Sequence, residues 1–119
     1  MKRSLFVSEN LDEESKTKIL NELKLGYLNL QDEMFKQAKL NFDIALQIDN
    51  TCAEAYWGLM LVKFQLQSEE LLFTEAVQNK SVIFLPEYAK ALEYANETQK
   101  KIYENLLERI RDINQGDLY

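Results

Sequence analysis

The sequence predicts an all-helical protein built from antiparallel helical pairs. Its 119 residues include only 3 glycines and 1 proline, which leaves few sites for tight turns or strand ends. Hydrophobic residues make up 46% of the chain and charged residues 29%, values typical of a folded domain. Through most of the chain, apolar residues recur roughly every three or four positions, which is the spacing of one helix face. We therefore expect a single all-α domain over residues 1–119.

The first helical pair is predicted over about residues 10–30 and 34–47, joined by a short polar turn. Asp12 and the two glutamates that follow it place negative charge where the first helix begins. Because the connection is short, the two helices should lie antiparallel and adjacent. Gly26 and Ala38 are small enough to let the two backbones approach each other closely.

A third helix is predicted to begin at Cys52 and to end near Gln65. Thr51 and Glu54 have the spacing of a capping box, in which the hydroxyl and the carboxylate each bind a free backbone N–H at the helix start. The helix is apolar on nearly all sides, so we expect it to lie at the centre of the domain. Cys52 is expected to be a small buried residue rather than a reactive thiolate.

Three more helices are predicted in the C-terminal half. A fourth helix is expected over residues 68–78, whereas the conformation of residues 79–86 is left open by the sequence. Pro86 starts a short helix, because proline is well tolerated in a first helical turn. Asn96 and Gln99 form a second capping box, which opens the last helix and its apolar stripe.

A regular order of small and large residues runs through residues 23–64, and it is carried by Leu25, Gly26, Phe35, Ala38, Phe42, Ala45 and the Ile48-Asp49 pair. This order resembles the tetratricopeptide repeat, a helix-turn-helix unit of about 34 residues. A shift of the chain by that period places Leu23 on Trp57 and Leu30 on Phe64, so the apolar positions repeat.

The resemblance implies a short right-handed solenoid of stacked helical pairs with a C-terminal capping helix. The first repeat would span about residues 19–52, a degenerate second repeat about residues 53–86, and the C-terminal helices residues 86–114. A wider likeness to uncharacterised bacterial tetratricopeptide proteins covers roughly residues 23–114 and names no activity.

In such repeats the first helix of each pair lines a concave groove. The resemblance assigns to this groove the partner-binding residues Leu23, Tyr27, Leu30, Trp57, Leu61 and Phe64. Such an apolar groove would hold a peptide or helix of another protein, which implies a non-enzymatic interaction or scaffold module. Alternatively, the protein's own last helix fills the groove through Ile102, Leu106 and Ile110.

Two other functions fit the same sequence. A structural homo-oligomer, with a homodimer as its smallest form, would bury the same apolar surface between copies. An acidic regulatory protein would bind a basic partner, because the net charge is −6. The same charge disfavours nucleic acid and anionic membrane surfaces as partners.

Catalysis is not expected, and neither a cofactor nor a metal ion is predicted. The chain contains no histidine, so neither a Ser-His-Asp nor a Cys-His arrangement can form. Its single cysteine excludes an internal disulfide and favours a reducing cytoplasm as the location. No glycine-rich phosphate loop is present, and no apolar run is long enough for a signal peptide or a membrane span.

Overall fold

A computed structural model describes the backbone of residues 4–73 and 85–116, and the side chains of residues 4–72 and 85–106. These residues form five α-helices and one 3₁₀ helix, and no β-strand occurs among them. The elements are α1 (Glu13–Gln31), α2 (Phe35–Ile48), α3 (Ala53–Phe64), a 3₁₀ helix (Glu69–Phe73), α4 (Pro86–Tyr94) and α5 (Glu97–Gly116). The predicted all-α class is confirmed.

The helix α1 begins at Glu13, two or three residues after the predicted start near residue 10 and within the acidic stretch of residues 12–14. The Asp12 side chain caps the helix, with Oδ1 accepting a hydrogen bond from the Ser15 backbone N–H at 2.8 Å. The hydrogen bonds from Ser15 lower the pKa of Asp12. A turn of residues 32–34 then leads directly into α2. The backbone of Glu33 in this turn has the left-handed conformation, with a φ of 60°. The short turn makes α1 and α2 antiparallel neighbours, and their contact is the most extensive among the described elements.

The first three helices meet around the ring of Phe42, which is fully buried. A Cβ atom placed on Gly26 of α1 would lie 2.5 Å from Phe42 Cε1, and one on Gly58 of α3 would lie 2.3 Å from Cζ. Both distances are too short for a real side chain, so each glycine is required by the ring beside it. Ala38 is also fully buried in this core, as its small size predicts.

The capping box predicted at Thr51 and Glu54 is wrong. Cys52 is the N-cap of α3, and no side chain caps the helix. The Thr51 hydroxyl donates instead to Asp49 Oδ1 at 2.6 Å, within the turn before the helix. The Glu54 carboxylate does not reach back to the cap because it is fully buried and accepts hydrogen bonds from distant parts of the chain.

The two features predicted to start the last two helices, Pro86 and the Asn96–Gln99 capping box, are both confirmed. Pro86 is the first residue of α4. The Asn96 backbone N–H donates to Gln99 Oε1 and the Gln99 backbone N–H donates to Asn96 Oδ1, each at 2.8 Å. This reciprocal pair is the predicted capping box, and it opens α5.

The fourth helix predicted over residues 68–78 is only partly described. Its first residues form the 3₁₀ helix Glu69–Phe73 rather than an α-helix, whereas residues 74–84 lie outside the described residues. The helix α3 packs against α2 and α4, and α5 packs against the 3₁₀ helix. The right-handed solenoid and its division into repeats stay predictions. The helix α5 and the 3₁₀ helix together position the candidate site.

Candidate functional site

The residues predicted to bind a partner lie on the sides of α1 and α3 that face the core. We call the surface between these two helices the α1–α3 groove, defined by Leu23, Tyr27, Leu30, Trp57, Leu61 and Phe64. Phe64 is partly buried, and the other five are buried. The Tyr27 hydroxyl donates to the backbone carbonyl of Glu54 at 2.8 Å, which joins α1 to α3. The structure brings these residues together but covers them with other parts of the chain.

A buried carboxylate, that of Glu54 on α3, is the centre of the polar contacts in the groove. Its Oε1 accepts a hydrogen bond from the Tyr103 hydroxyl of α5 at 2.7 Å. Its Oε2 accepts a hydrogen bond from the backbone N–H of Phe6 at 3.0 Å. A buried carboxylate needs such donors to replace the water that it loses. Glu54 therefore ties the N-terminal residues and the last helix to the middle of the domain.

The indole ring of Trp57 is covered by α5. Tyr103 stacks on it, with ring centroids 4.1 Å apart and an interplanar angle of 17°. The Trp57 indole N–H donates to Oε1 of Glu69, a second buried carboxylate, at 2.8 Å. Tyr103 thus contacts both the aromatic and the acidic part of the groove, and Trp57 has no exposed surface. Ile102 and Leu106 are partly buried and pack against the hydrophobic core, and the Ile110 side chain lies outside the described residues.

The sequence interpretation missed the roles of Glu54, Glu69 and Tyr103 in this network. One signal was present, because Glu54 is the only acidic residue in the strongly apolar helix α3. A carboxylate surrounded by apolar residues cannot keep its water and must find donors within the protein. The donors could not be predicted from the sequence, since Phe6 and Tyr103 lie 48 and 49 residues from Glu54 along the chain.

The sequence does not show whether the first residues of the chain extend into solvent or pack on the rest of the protein. In the structure, Ser4–Ser8 form an irregular stretch without helix or sheet, which we call the N-terminal segment. Leu5 and Val7 pack against the hydrophobic core, and Phe6 is partly buried. The segment thus runs over Glu54 and helps to cover the groove.

Two cavities border the N-terminal segment, one at each end. The first has a volume of about 550 Å³ and lies between the segment and α1; its lining residues are Ser4, Leu5, Leu20, Lys24, Tyr27, Leu28 and Gln31. The second has a volume of about 580 Å³ and is lined by residues 6–9, 51–53, 93–96 and Gln99. Open space therefore borders the segment at both of its ends.

Cys52 borders the second cavity but has no features of a nucleophile. Its side chain is buried, as the sequence predicts, and burial raises the pKa of the thiol to about 12. The thiol therefore stays protonated at neutral pH despite its position at the start of α3.

The exposed large hydrophobic residues among the described side chains all lie in α1, α2 and the turn between them. They are Leu25, Leu28, Met34, Leu40 and Ile44. Leu40 and Ile44 are one helical turn apart, so they share the outer face of α2. These residues are exposed, unlike those that define the groove, although Leu28 lines the first cavity together with Tyr27.

Within residues 4–73 and 85–116, no group of three or more His, Cys, Asp or Glu side chains is placed to hold a metal ion. In the same part of the chain, no helix is sufficiently long and apolar to cross a membrane. Comparisons with protein family models, with curated proteins and with solved structures find no match to this chain. The tetratricopeptide-like pairing stays a prediction from the residues.

Proposed function

We propose that the protein is a non-enzymatic interaction module that binds a peptide or a helix of another protein in the α1–α3 groove. The contact of α5 with this groove is the observation that supports the proposal. Tyr103 stacks on Trp57 at 4.1 Å and donates to Glu54 at 2.7 Å. A helix held by a buried aromatic anchor and a polar contact is typical of helix-in-groove recognition. In this proposal α5 occupies the position that a partner helix would take.

A partner must compete with α5, which is tethered next to the groove at a high effective concentration. Among the described side chains of α5, only Gln99 and Tyr103 are buried. The described part of α5 thus has few buried side chains, and a segment of that kind opens at a lower free energy than the core does. The affinity for a partner is then set by the fraction of molecules in which α5 has left the groove.

The test uses a synthetic peptide of residues 97–116 with a fluorescent label and the full chain carrying Tyr103→Ala. We expect the peptide to bind this variant at least about tenfold more tightly than the wild type, because the tethered helix then competes less well. Binding is measured by anisotropy. A control peptide with Tyr103→Ala should bind at least about tenfold more weakly than the unchanged peptide, since it lacks the aromatic anchor.

Circular dichroism checks that the variant chain has kept its helices. If a folded Tyr103→Ala chain bound neither peptide, the groove would be a simple core and the proposal would be wrong.

A second candidate function is self-association, and the exposed apolar residues of α1 and α2 favour it. The surface involved would be that of Leu25, Leu28, Met34, Leu40 and Ile44, not the buried groove. Because each copy carries a net charge of −6, association through this surface should strengthen as salt screens the repulsion. Binding of a basic partner, the acidic regulatory alternative, should instead weaken with salt.

A further inference from the structure

We infer that the N-terminal segment occupies a separate peptide subsite of the groove, centred on Glu54 Oε2. The inference rests on the proposed function and names a class of partner for it. Phe6 donates its backbone N–H to Glu54 Oε2 at 3.0 Å, while the residues on both sides, Leu5 and Val7, pack against the core. The subsite therefore accepts an extended peptide in which a backbone N–H lies between two apolar side chains.

The acceptor of this subsite is fixed by contacts outside the segment. Glu54 is fully buried, and its other carboxylate oxygen is held by the Tyr103 hydroxyl at 2.7 Å. Hydrogen bonds to such a carboxylate are stronger than those between neutral groups. Because the donor is a backbone N–H, every residue except proline supplies it. Selectivity then comes from the apolar side chains that flank it.

The packing indicates that the segment can be replaced by another peptide. Leu5, Phe6 and Val7 are only partly buried, in contrast to the fully buried residues Glu54, Trp57 and Tyr103 below them. Cavities of about 550 and 580 Å³ border the segment, so its surroundings are loosely filled. Regions with few buried contacts open before the core does. The segment acts as an intramolecular occupant that a peptide with the same pattern displaces.

The experiment compares two peptides on a chain whose own segment is weakened. The chain is the full-length protein with Leu5→Asp and Val7→Asp, and the probe is a labelled synthetic peptide of residues 1–9. The matched control is the same peptide with an N-methyl group on the Phe6 nitrogen, which replaces the donor that reaches Glu54 by a methyl group and leaves every side chain unchanged.

We expect the unmodified peptide to bind the weakened chain at least about tenfold more tightly than it binds the wild type, because the tethered segment no longer competes. The N-methylated peptide should bind at least about tenfold more weakly than the unmodified one, as expected for the loss of a hydrogen bond to a carboxylate. Equal binding of the two peptides, or no binding to a folded weakened chain, would overturn the inference.

The outcome is distinguishable from a failure of the proposed function. The peptide of residues 97–116 tests the contact with Trp57, whereas the peptide of residues 1–9 tests the contact with Glu54 Oε2. If only the longer peptide binds, the interaction module stands and the subsite is wrong. If the weakened chain loses its helical circular dichroism, the segment is part of the core and the subsite is equally wrong.

Discussion

Replacing Glu54 with alanine should lower the free energy of unfolding by about 3–5 kcal/mol. The substitution removes the carboxylate that accepts hydrogen bonds from the Tyr103 hydroxyl and the Phe6 backbone N–H. It also leaves a cavity at a fully buried position. This loss is a large share of the total free energy of unfolding, which is roughly 5–15 kcal/mol for a folded protein. Urea unfolding followed by circular dichroism measures it.

Two variants control this experiment. Glu70 is exposed, so Glu70→Ala makes the same change in net charge and should alter the stability by about 0.5 kcal/mol or less. Glu54→Gln keeps the shape of the side chain and one carbonyl acceptor, so its effect should lie between those of the other two. A Glu54→Ala protein as stable as Glu70→Ala would contradict the central role of this carboxylate.

The second large effect is expected for Gly58→Ala, which should destabilise the protein by about 1–3 kcal/mol. The new methyl group would lie 2.3 Å from Phe42 Cζ. The ring has little room to move toward α1, because Gly26 lies against the same edge of the ring, at Cδ1, Cε1 and Cζ. Helix propensity alone predicts that Gly58→Ala stabilises the protein, since alanine in a helix is favoured over glycine by about 1 kcal/mol. Thermal or urea unfolding therefore decides between the two effects.

A double-mutant cycle with Phe42→Leu shows whether the ring is the cause. In the Phe42→Leu background the smaller side chain leaves room for the methyl group, so Gly58→Ala should cost about 1 kcal/mol less than in the wild type. A stabilising Gly58→Ala, or strictly additive effects, would mean that the three helices do not meet at Phe42 as described.

The elements with local signals were predictable from the sequence. Asp12 marks the start of α1, Pro86 the start of α4, and the Asn96–Gln99 pair the start of α5. Each signal involves residues within one helical turn, so it can be recognised without knowledge of the tertiary contacts. The close approach at Gly26 was also predictable, because a glycine inside a helix usually has a packing reason.

The candidate site was less predictable because its contacts are long-range. Thr51 and Glu54 have the spacing of a capping box, yet the tertiary hydrogen bonds of Glu54 override that local choice. The residues predicted to line the groove are buried on α1 and α3, except for the partly buried Phe64, and the stacking of Tyr103 on Trp57 depends on a helix that begins 40 residues after Trp57. Periodicity identifies an apolar face without showing what covers it.

The most direct test of the account is the fluorescence of Trp57, the single tryptophan of the chain, recorded on samples whose mass is measured by light scattering. The structure predicts blue-shifted emission that acrylamide quenches weakly, whatever the measured mass, because Trp57 is fully buried under Tyr103. Quenching should increase in Tyr103→Ala, which uncovers one face of the indole. A wild-type monomer with red-shifted, easily quenched emission would contradict the account, since its groove would be open.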